Sequence, residues 1–542
     1  MTLFERILDA RGLDAKSRAS FLNPKYESVN DPFLLPDMEK AVNRLVLAHK
    51  NQEKVVIYGD YDIDGLTSTT LLFNSLKSFG FNNLEIFIPN RFEEGYGLSV
   101  GAIEKFAKNG VSLVVTVDCG STSEKEIIQA NKLGLNIIVT DHHDCLGLQV
   151  PAFAVVNPKS LGNKYPFVDL AGVGVAFKFV QALQTKLSGL PKGHEKWLLD
   201  LVALGTVCDV VKLTEENRTL VYFGLRVLAK TKRPGLRALM AVSGVDAENI
   251  DTRALGYRLG PRLNAAGRLE TAKNAMDLLI SDDPLVALKK AEYLDDLNRA
   301  RRTTQDKIFK QAQKQAELFA NDPVLVVSGK DWNHGVVGIV ASKLLEKYKK
   351  PTFVLQEIGD ESQGSARSFG DFSVIDAVRE SKRLITKGGG HKMAAGITLP
   401  TKNITKFRKR VNDFYKSLNL KDQHLLLLPN ADATAELSEI TEELIGQLSS
   451  LEPFGIGNSQ PVIQCDNLEV LKVKKMGVDS QHVKLDLADK NGFVMQFISF
   501  NAPDSCFVNL GSFVSVWFSP NINEWRGRRL VEGQILHIDT KV

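Results

Sequence analysis

Three apolar runs in the first third of the chain read as buried strands, and each runs into acidic residues. Lys54-Val55-Val56-Ile57-Tyr58 leads into Gly59-Asp60-Tyr61-Asp62-Ile63-Asp64-Gly65. Leu113-Val114-Val115-Thr116-Val117 leads into Asp118-Cys119-Gly120. Leu135-Asn136-Ile137-Ile138-Val139-Thr140 leads into Asp141-His142-His143. Helix-like segments, Thr67 to Phe79, Val100 to Lys108 and Ser123 to Leu133, alternate with them. Such alternation predicts a parallel sheet of βαβ units. A fourth apolar run, Leu201 to Cys208, ends at Asp209. Open α/β sheets bind ligands at the carboxyl ends of their strands, where these acids and imidazoles fall.

The pattern changes along the chain. Residues 1–50 are helical and polar, broken by Pro24, Pro32 and Pro36, and residues 157 to about 230 are mostly helical. Pro284 to Phe319 reads as one long helix, rich in Ala, Lys, Arg, Glu and Gln. It exceeds the usual globular length and so predicts a connector between domains. A second α/β unit starts at Val324-Leu325-Val326-Val327, with a helix over Val336 to Lys347, a strand over Thr352 to Leu355 and a glycine-rich turn Lys387-Gly388-Gly389-Gly390-His391. From about Ala431 short strands such as Val483 to Leu487 and Phe513 to Phe518 predict a small β-barrel. The expected division is a helical segment at 1–50, a metal-binding α/β domain at 51–230, a connector at 231–320, a smaller α/β domain at 321–424 and a barrel at 425–542.

Composition narrows the class. With 542 residues the chain is too long for one core. Hydrophobic content of 44% and charged content of 24% are those of a soluble globular protein. There is no apolar run long enough to span a membrane and no signal-peptide pattern at the start, so a cytoplasmic protein without a membrane partner is expected. The five cysteines are scattered without zinc-ligand spacing, which fits thiols in a reducing compartment. A net charge of +4 does not announce a nucleic-acid binder, so any such site must be a local patch.

One acid at a strand end is usually a cap or turn residue. Three acids within five residues, and the same placement at four strand or helix ends, go beyond capping. Five carboxylates (Asp60, Asp62, Asp64, Asp118, Asp209) with one or two imidazoles would repel one another without cations between them. Clustered Asp and His suit divalent metals such as Mn²⁺ or Mg²⁺. If Asp60, Asp62, Asp64, Asp118, His142 and Asp209 converge, they suffice for two cations, with Asp118 as the bridge because it ends a central strand. Two such cations support in-line displacement at phosphorus. His143 then stands just outside, as an acid or a phosphate contact.

Three further groups offer anion-binding equipment. Leu259-Gly260-Pro261-Arg262-Leu263-Asn264-Ala265-Ala266-Gly267-Arg268 places two guanidinium forks among small residues. Trp332-Asn333-His334-Gly335, Gly364-Ser365-Ala366-Arg367-Ser368 and Gly388-Gly389-Gly390-His391 combine a helix start, hydroxyls, a guanidinium and a close-approach loop. In the barrel, Lys472-Val473-Lys474-Lys475 and Trp525-Arg526-Gly527-Arg528-Arg529 are basic with tryptophan beside them, suited to stacking on single strands. Taken singly, each of these reads as well as a solvated turn or face.

Taken together, these motifs resemble the RecJ family of single-strand-specific DNA exonucleases in the DHH phosphoesterase superfamily. The matching residues are Tyr58 to Gly65, Asp118-Cys119-Gly120, Asp141-His142-His143 and Val207-Cys208-Asp209-Val210-Val211. In the second half they are Arg262 to Arg268, Gly364 to Ser368, Gly389-Gly390-His391, Met393-Ala394-Ala395-Gly396 and Pro453-Phe454-Gly455-Ile456-Gly457-Asn458. Two positions depart from the family pattern. Ile63 stands where Ala is common, and Asn333 holds the place where His often follows the Trp, with His334 next.

The resemblance implies a DHH domain joined by the long helix to a smaller α/β domain, then an OB-like barrel. It implies 5′-to-3′ degradation of single-stranded DNA in recombination and repair, with two divalent cations, Mn²⁺ in preference to Mg²⁺. The catalytic set is Asp60, Asp62, Asp64, Asp118, His142, His143 and Asp209, all but His143 being metal ligands. The strand-contacting set is Arg262, Asn264, Arg268, His334, Ser365, Arg367, Gly389, Gly390, His391, Trp525 and Arg526. A groove of single-strand width, a helicase and a single-strand-binding protein as partners, and a monomeric state complete the expectation. The alternatives are a phosphodiesterase of short oligonucleotides or cyclic dinucleotides, which would need no barrel, and a non-catalytic nucleic-acid-binding scaffold.

Overall fold

The computed structural model describes residues 1–540 except Phe92, Leu146, Leu148, Lys421, Asp422 and Arg526; the side chains of Ala15, Lys16, His424, Leu425 and Trp525 also lie outside the description. The chain forms two compact units. One joins Met1–Asp295 with Pro429–Val542, and the other is Asp296–Leu428.

The first unit holds a five-stranded parallel sheet of β1 (Val55–Gly59), β2 (Leu84–Phe87), β3 (Leu113–Val117), β4 (Asn136–Thr140) and β5 (Ala154–Val156), in the order β2-β1-β3-β4-β5. The central strands are buried on both faces, which is why they read as unbroken apolar runs rather than alternating ones. On one face Val56, Tyr58, Val114, Ile137 and Val139 pack with Ile103, Phe106, Ile127 and Ala130 from two covering helices. The short edge strands β2 and β5 carry too little apolar pattern to be read individually. From β1 the chain moves outward to β2 and then returns to the opposite side of β1 as β3. That reversal opens a crevice at the carboxyl ends of β1 and β3, the usual ligand position in such sheets.

The helix after β1 is Ile63–Ser78, starting four residues before the expected Thr67. The cause is Asp62, whose Oδ1 accepts the Gly65 N–H at 3.0 Å and caps the helix. The Leu201 to Cys208 run belongs to the helix Leu199–Cys208. The 259–268 segment, expected as a phosphate-gripping turn, is instead a π turn (Leu255–Leu259) followed by an α-helix (Gly260–Leu269). Its small residues serve close packing: a Cβ on Gly260 would lie 2.8 Å from Cys208 Sγ, and one on Gly267 3.2 Å from the Tyr61 carbonyl.

The second unit is a mixed sheet of β6 (Leu325–Gly329), β7 (Thr352–Ile358), β8 (Glu361–Arg367), β9 (Lys387–Gly390) and β10 (Ala394–Pro400), ordered β6-β7-β8-β10-β9. Helix His334–Tyr348 packs on β7 and β8. The glycine-rich stretch expected as a turn is the exposed edge strand β9, antiparallel to β10. Glycine permits it: a Cβ on Gly390 would fall 2.4 Å from the Ala394 carbonyl. The long helix is continuous over Pro284–Leu318 and passes from the first unit into the second.

The C-terminal part of the first unit is a barrel. A two-residue strand, β11 (Ala433–Thr434), adds to β12 (Ile463–Met476). The ring continues through β13 (His482–Ala488), β14 (Val494–Ser499), β15 (Phe513–Trp525) and β16 (Arg528–Asp539), in the order β12-β13-β14-β16-β15. Pairing of β15 with β12 closes it. The first fifty residues divide between the two layers. Helix Met38–Lys50 buries Met38, Val42 and Leu45 beside the α/β sheet, while helix Leu3–Ala10 sends Leu3, Ile7 and Leu8 into the barrel core with Leu448, Val470, Leu485 and Phe518. Arg11 fixes that helix with a bidentate pair to Asp432, at 2.9 and 3.1 Å.

Ile7 is fully buried. Ile7→Ala should therefore destabilise the barrel by about 3 kcal/mol, read as faster amide hydrogen exchange across β12 and β15. Unchanged exchange there would show that the first helix adds nothing to the barrel core.

Candidate metal centre

The Asp60-Tyr61-Asp62-Ile63-Asp64 run spans the passage from strand to helix, so its three acids meet three different environments. Asp60 ends β1 and is 4% exposed. Asp62 is the helix cap. Asp64 lies in the first helical turn, and its carboxylate accepts the Gly172 and Val173 N–H groups at 2.6 and 2.8 Å. Those N–H groups open the helix Gly172–Leu183, an end that carries partial positive charge.

Asp118 follows β3 in the left-handed backbone region, with φ of 61°, and its N–H bonds the Thr140 carbonyl at 2.9 Å. A Cβ on Gly172 would lie 2.6 Å from Asp118 Oδ1, so only glycine admits the carboxylate there. Asp209 sits at the carboxyl end of its helix, where the helix dipole opposes a negative charge.

These groups converge. His142 Nε2 lies 3.2 Å from Asp118 Oδ1, 3.5 Å from Asp209 Oδ2 and 3.8 Å from Asp64 Oδ2. Ligand atoms fall within 4.8 Å of one another in three sets: Asp60, Asp62 and Asp118; Asp118, His142 and His143; and Asp64, His142 and Asp209. Asp118 and His142 each belong to two sets. Asp60 Oδ1, Asp118 Oδ1, Asp209 Oδ2 and His142 Nε2 are buried with no hydrogen-bond partner among the described residues. Buried oxygens without donors, beside an unpaired imidazole nitrogen, are what a divalent cation requires. The donor set of five carboxylates and an imidazole fits Mn²⁺ or Mg²⁺.

Electrostatics points the same way. Burial, then the charge of Asp62, pushes Asp60 up to about 8 and Asp209 up to about 7. Asp64 and Asp118 are also raised, by burial and then by Asp209 and Asp64 respectively. Burial pulls His142 down to about 3, leaving a neutral imidazole suited to ligation.

Asp141 behaves differently. It is buried, yet its Oδ1 lies 2.8 Å from His143 Nδ1, and it accepts the N–H groups of Ser121, His142 and His143. Against the desolvation that raises it, those bonds and the imidazolium hold it below the usual carboxylate range. His143 is half-exposed, and its pair with Asp141 keeps it above the ordinary imidazole value.

Sequence reasoning omitted two residues. Asp141 orients His143. Tyr96 places its hydroxyl 3.0 Å from His143 Nδ1 and 3.5 Å from the Asp118 carbonyl. Its signal was an aromatic flanked by Gly95 and Gly97, both of positive φ.

The outlying residues divide. Arg262 is engaged structurally, with Nε 2.8 Å from Asp295. Asn264 and Arg268 lie on the same helix, half-buried, and the Arg268 charge reaches Tyr61. In the second unit Asn333 caps the helix, its Oδ1 taking the Gly335 N–H at 2.8 Å, and His334 is the first helical residue. Ser365 and Arg367 lie against Gly338 of that helix. Across the sheet Ser365 pairs with Gly396 and Gly396 with Gly389, and a Cβ on either glycine would meet open space. The row is a side-chain-free shelf beside Ser365 and Arg367, with Gly390 and His391 exposed at its edge. Arg526 and the Trp525 side chain lie outside the described residues.

Family models match along the chain: the DHH family N-terminal domain over residues 54–206, the DHHA1 domain over 321–417 and the RecJ OB domain over 431–537. The Haemophilus influenzae single-stranded-DNA-specific exonuclease RecJ is 33% identical over 556 residues, covering 99% of this chain and 96% of that protein. The chain belongs to the RecJ family. The Bacillus subtilis RecJ exonuclease is 37% identical over 97% of this chain, which spans 66% of that protein's length. The crystal structure of RecJ from Thermus thermophilus in complex with Mn²⁺ superposes with a TM-score of 0.84 at 27% identity, covering 99% of this chain and 75% of that one. The fold is thus that of a DHH domain, a DHHA1 domain and an OB barrel, and the metal-bound relative agrees with the donor set. Among the described residues no helix is long and apolar enough to cross a membrane.

A carboxylate whose folded pKa is raised contributes stability while protonated, and loses it as pH rises through the folded value. In the metal-free chain that window lies between the unfolded value near 4 and about 7 to 8 for Asp209 and Asp60. The melting temperature in EDTA should therefore fall by roughly 5 °C between pH 6 and pH 8.5, and Mn²⁺ should abolish the fall. A flat profile in EDTA would mean that neither burial nor the neighbouring acids raise these carboxyls.

Proposed function

We propose that this chain is a metal-dependent exonuclease that hydrolyses single-stranded DNA from the 5′ end. The observation that carries it is the convergence of Asp60, Asp62, Asp64, Asp118, His142 and Asp209 at the sheet's reversal point, in a chain aligned over nearly its whole length with RecJ exonucleases. Two divalent cations held by these residues, of which Asp118 belongs to two of the three candidate groups, would supply a hydroxide nucleophile and offset charge developing at phosphorus. The protein's own groups do the rest. Asp64, fixed by two backbone N–H groups, and Asp118, fixed by its turn, keep the ligands from moving as charge shifts. His143, half-exposed at the rim and with its protonated form favoured by Asp141 against the burial that opposes it, is the group that would donate to the phosphate or the leaving oxygen.

The glycine shelf, Ser365 and Arg367 bind the strand's terminal phosphate, since a guanidinium fork suits that group and bare backbone admits close approach. In the first unit Arg262 is held by Asp295, which gives it a structural task of its own. The barrel binds the strand interior through Arg528 and Arg529 at the start of β16. A cytoplasmic monomer acting in recombination and repair, behind a helicase and alongside a single-strand-binding protein, fits this chemistry. A vestigial scaffold is disfavoured because the ligand set is intact, and a short-oligonucleotide enzyme because the barrel would have no role.

The deciding assay digests 5′-labelled and 3′-labelled single strands with Mn²⁺, Mg²⁺ or EDTA. Metal-dependent release of the 5′ label first supports the reading; release of the 3′ label first overturns the polarity, and no release overturns the activity. Asp118→Ala should cut kcat by about a thousandfold or more while raising metal-free stability at pH 8, since it removes a buried charge. Cleavage within tenfold of wild type would exclude Asp118 as an essential metal ligand. Arg367→Ala should weaken use of 5′-phosphorylated ends roughly tenfold and 5′-hydroxyl ends far less. Equal losses on both would make Arg367 a general backbone contact.

A further inference from the structure

The turn that leaves the metal centre at Asp209 is held from outside its own domain. Val210 adopts a φ of 65° while 64% exposed. For a β-branched residue that conformation is strained and persists only where its surroundings impose it. Part of the restraint is local: Lys212 Nζ pairs with Asp169 at 3.0 Å, and Asn217 Nδ2 donates to the Lys212 carbonyl at 3.0 Å.

The rest comes from the loop Pro453-Phe454-Gly455-Ile456-Gly457-Asn458 that leads into the barrel. The Leu213 N–H donates to the Ile456 carbonyl at 2.7 Å. The Leu213 side chain is buried directly against Gly455, where a Cβ would fall 2.5 Å from Leu213 Cδ1 and 2.8 Å from its Cγ. The loop is itself stiff. Asn458 is buried and donates to the Leu451 and Pro453 carbonyls, both at 2.9 Å, while Gly455 and Asn458 bond each other's backbone.

The loop is also anchored to the catalytic domain on both sides. Thr252 Oγ1 donates to the Phe454 carbonyl at 2.7 Å. Arg218, 3% exposed, donates to the carbonyls of Ser450, Leu451 and Glu452. A loop so fixed acts as a wall, and Leu213 is the point at which the Asp209 turn leans on it.

We propose that the 453–458 loop of the barrel domain is a positioning element of the metal centre: through Leu213 it holds the strained turn that aims Asp209 at His142 and Asp64. The inference rests on the metal-site reading above. It gives the barrel domain a part in chemistry beyond strand binding, with Gly455 and Leu213 as positioning residues.

The test uses the full-length chain with Gly455→Ala, Leu213→Ala and the double variant. Mn²⁺ binding is followed without DNA, by the electron paramagnetic resonance of free Mn²⁺, and kcat and KM are measured on a long single strand. Residues that orient a ligand commonly contribute 10–100-fold to metal affinity. Each single variant should therefore weaken Mn²⁺ binding roughly tenfold and lower kcat, with KM for the strand changing less than about twofold. The double variant makes room for the new methyl and should recover much of the Gly455→Ala loss.

Wild-type Mn²⁺ affinity in either folded single variant would reduce the contact to packing and overturn the proposal. So would a double variant whose loss is simply additive. Should Gly455→Ala fail to fold, Leu213→Ala, which adds no bulk, decides alone by the same readout. A wild type that binds Mn²⁺ but degrades no strand would overturn the exonuclease reading and leave the Mn²⁺ comparison intact.

Discussion

The structure is organised around the repulsion of buried carboxylates. Asp60, Asp64 and Asp118 are each at most 4% exposed, and Asp62 and Asp209 crowd them. At an effective dielectric near 20, two charges 4 Å apart repel by about 4 kcal/mol. A flexible site would relieve that by swinging the acids into water. The strand-to-helix passage prevents it by giving each acid of Asp60-Tyr61-Asp62-Ile63-Asp64 its own restraint. Asp62 is spent on a cap, Asp64 on the positive end of the Gly172–Leu183 helix, and Asp60 is left facing the cluster. The same spacing in an extended strand would point all three to one side with nothing to hold them.

The imidazoles divide the work along the same line. Asp141 sits beside His142 and His143 but keeps its charge, because four donors surround it. It pairs with His143, while burial, and then the charge of His143, hold His142 neutral among the other acids. Two adjacent histidines therefore come to differ, one neutral among the acids and the other paired with a carboxylate at the rim. The difference is made first by burial, which is deeper at His142, and then by the imidazole hydrogen bond that Asp141 accepts from His143 alone.

Much of this was legible in the sequence, for physical reasons. Parallel strands buried on both faces are continuous apolar runs, and ligands sit where those runs end, so Asp60, Asp118 and His142 could be placed without coordinates. What local pattern could not show was partnership across long separations. Leu3, Ile7 and Leu8 look like the apolar stripe of an ordinary amphipathic helix, and nothing near them says that the stripe faces a barrel over 400 residues later. The Gly260–Leu269 helix reads as a turn because glycine, proline and asparagine are turn formers; tertiary packing against Cys208 and Tyr61 overrides that preference. Gly388-Gly389-Gly390 misleads in the same way, since an edge strand tolerates glycine where a central one would not. Tyr96 was missed because no periodicity marks a loop residue that reaches a site.

The shared burial of the two ends of the chain has a consequence for how the catalytic unit is assembled. The barrel core is incomplete without the first helix, and the barrel's entry loop is seated by Leu213 and Arg218 of the metal-bearing domain and by Thr252 beyond it. Arg218 shows how tightly the parts are tied. Its guanidinium also bonds the Phe21 carbonyl at 2.6 Å and lies 3.8 Å from the Phe21 ring, so one buried side chain joins the N-terminal segment, the helix Glu215–Leu228 and the barrel entry. A buried arginine whose partners are backbone carbonyls leaves several acceptors unpaired if it is lost, each costing about 1–3 kcal/mol. The DHH layer and the barrel therefore cannot be treated as a catalytic core with a removable strand-binding appendage. Leu213 links the two: its N–H and side chain meet the barrel's entry loop four residues after Asp209.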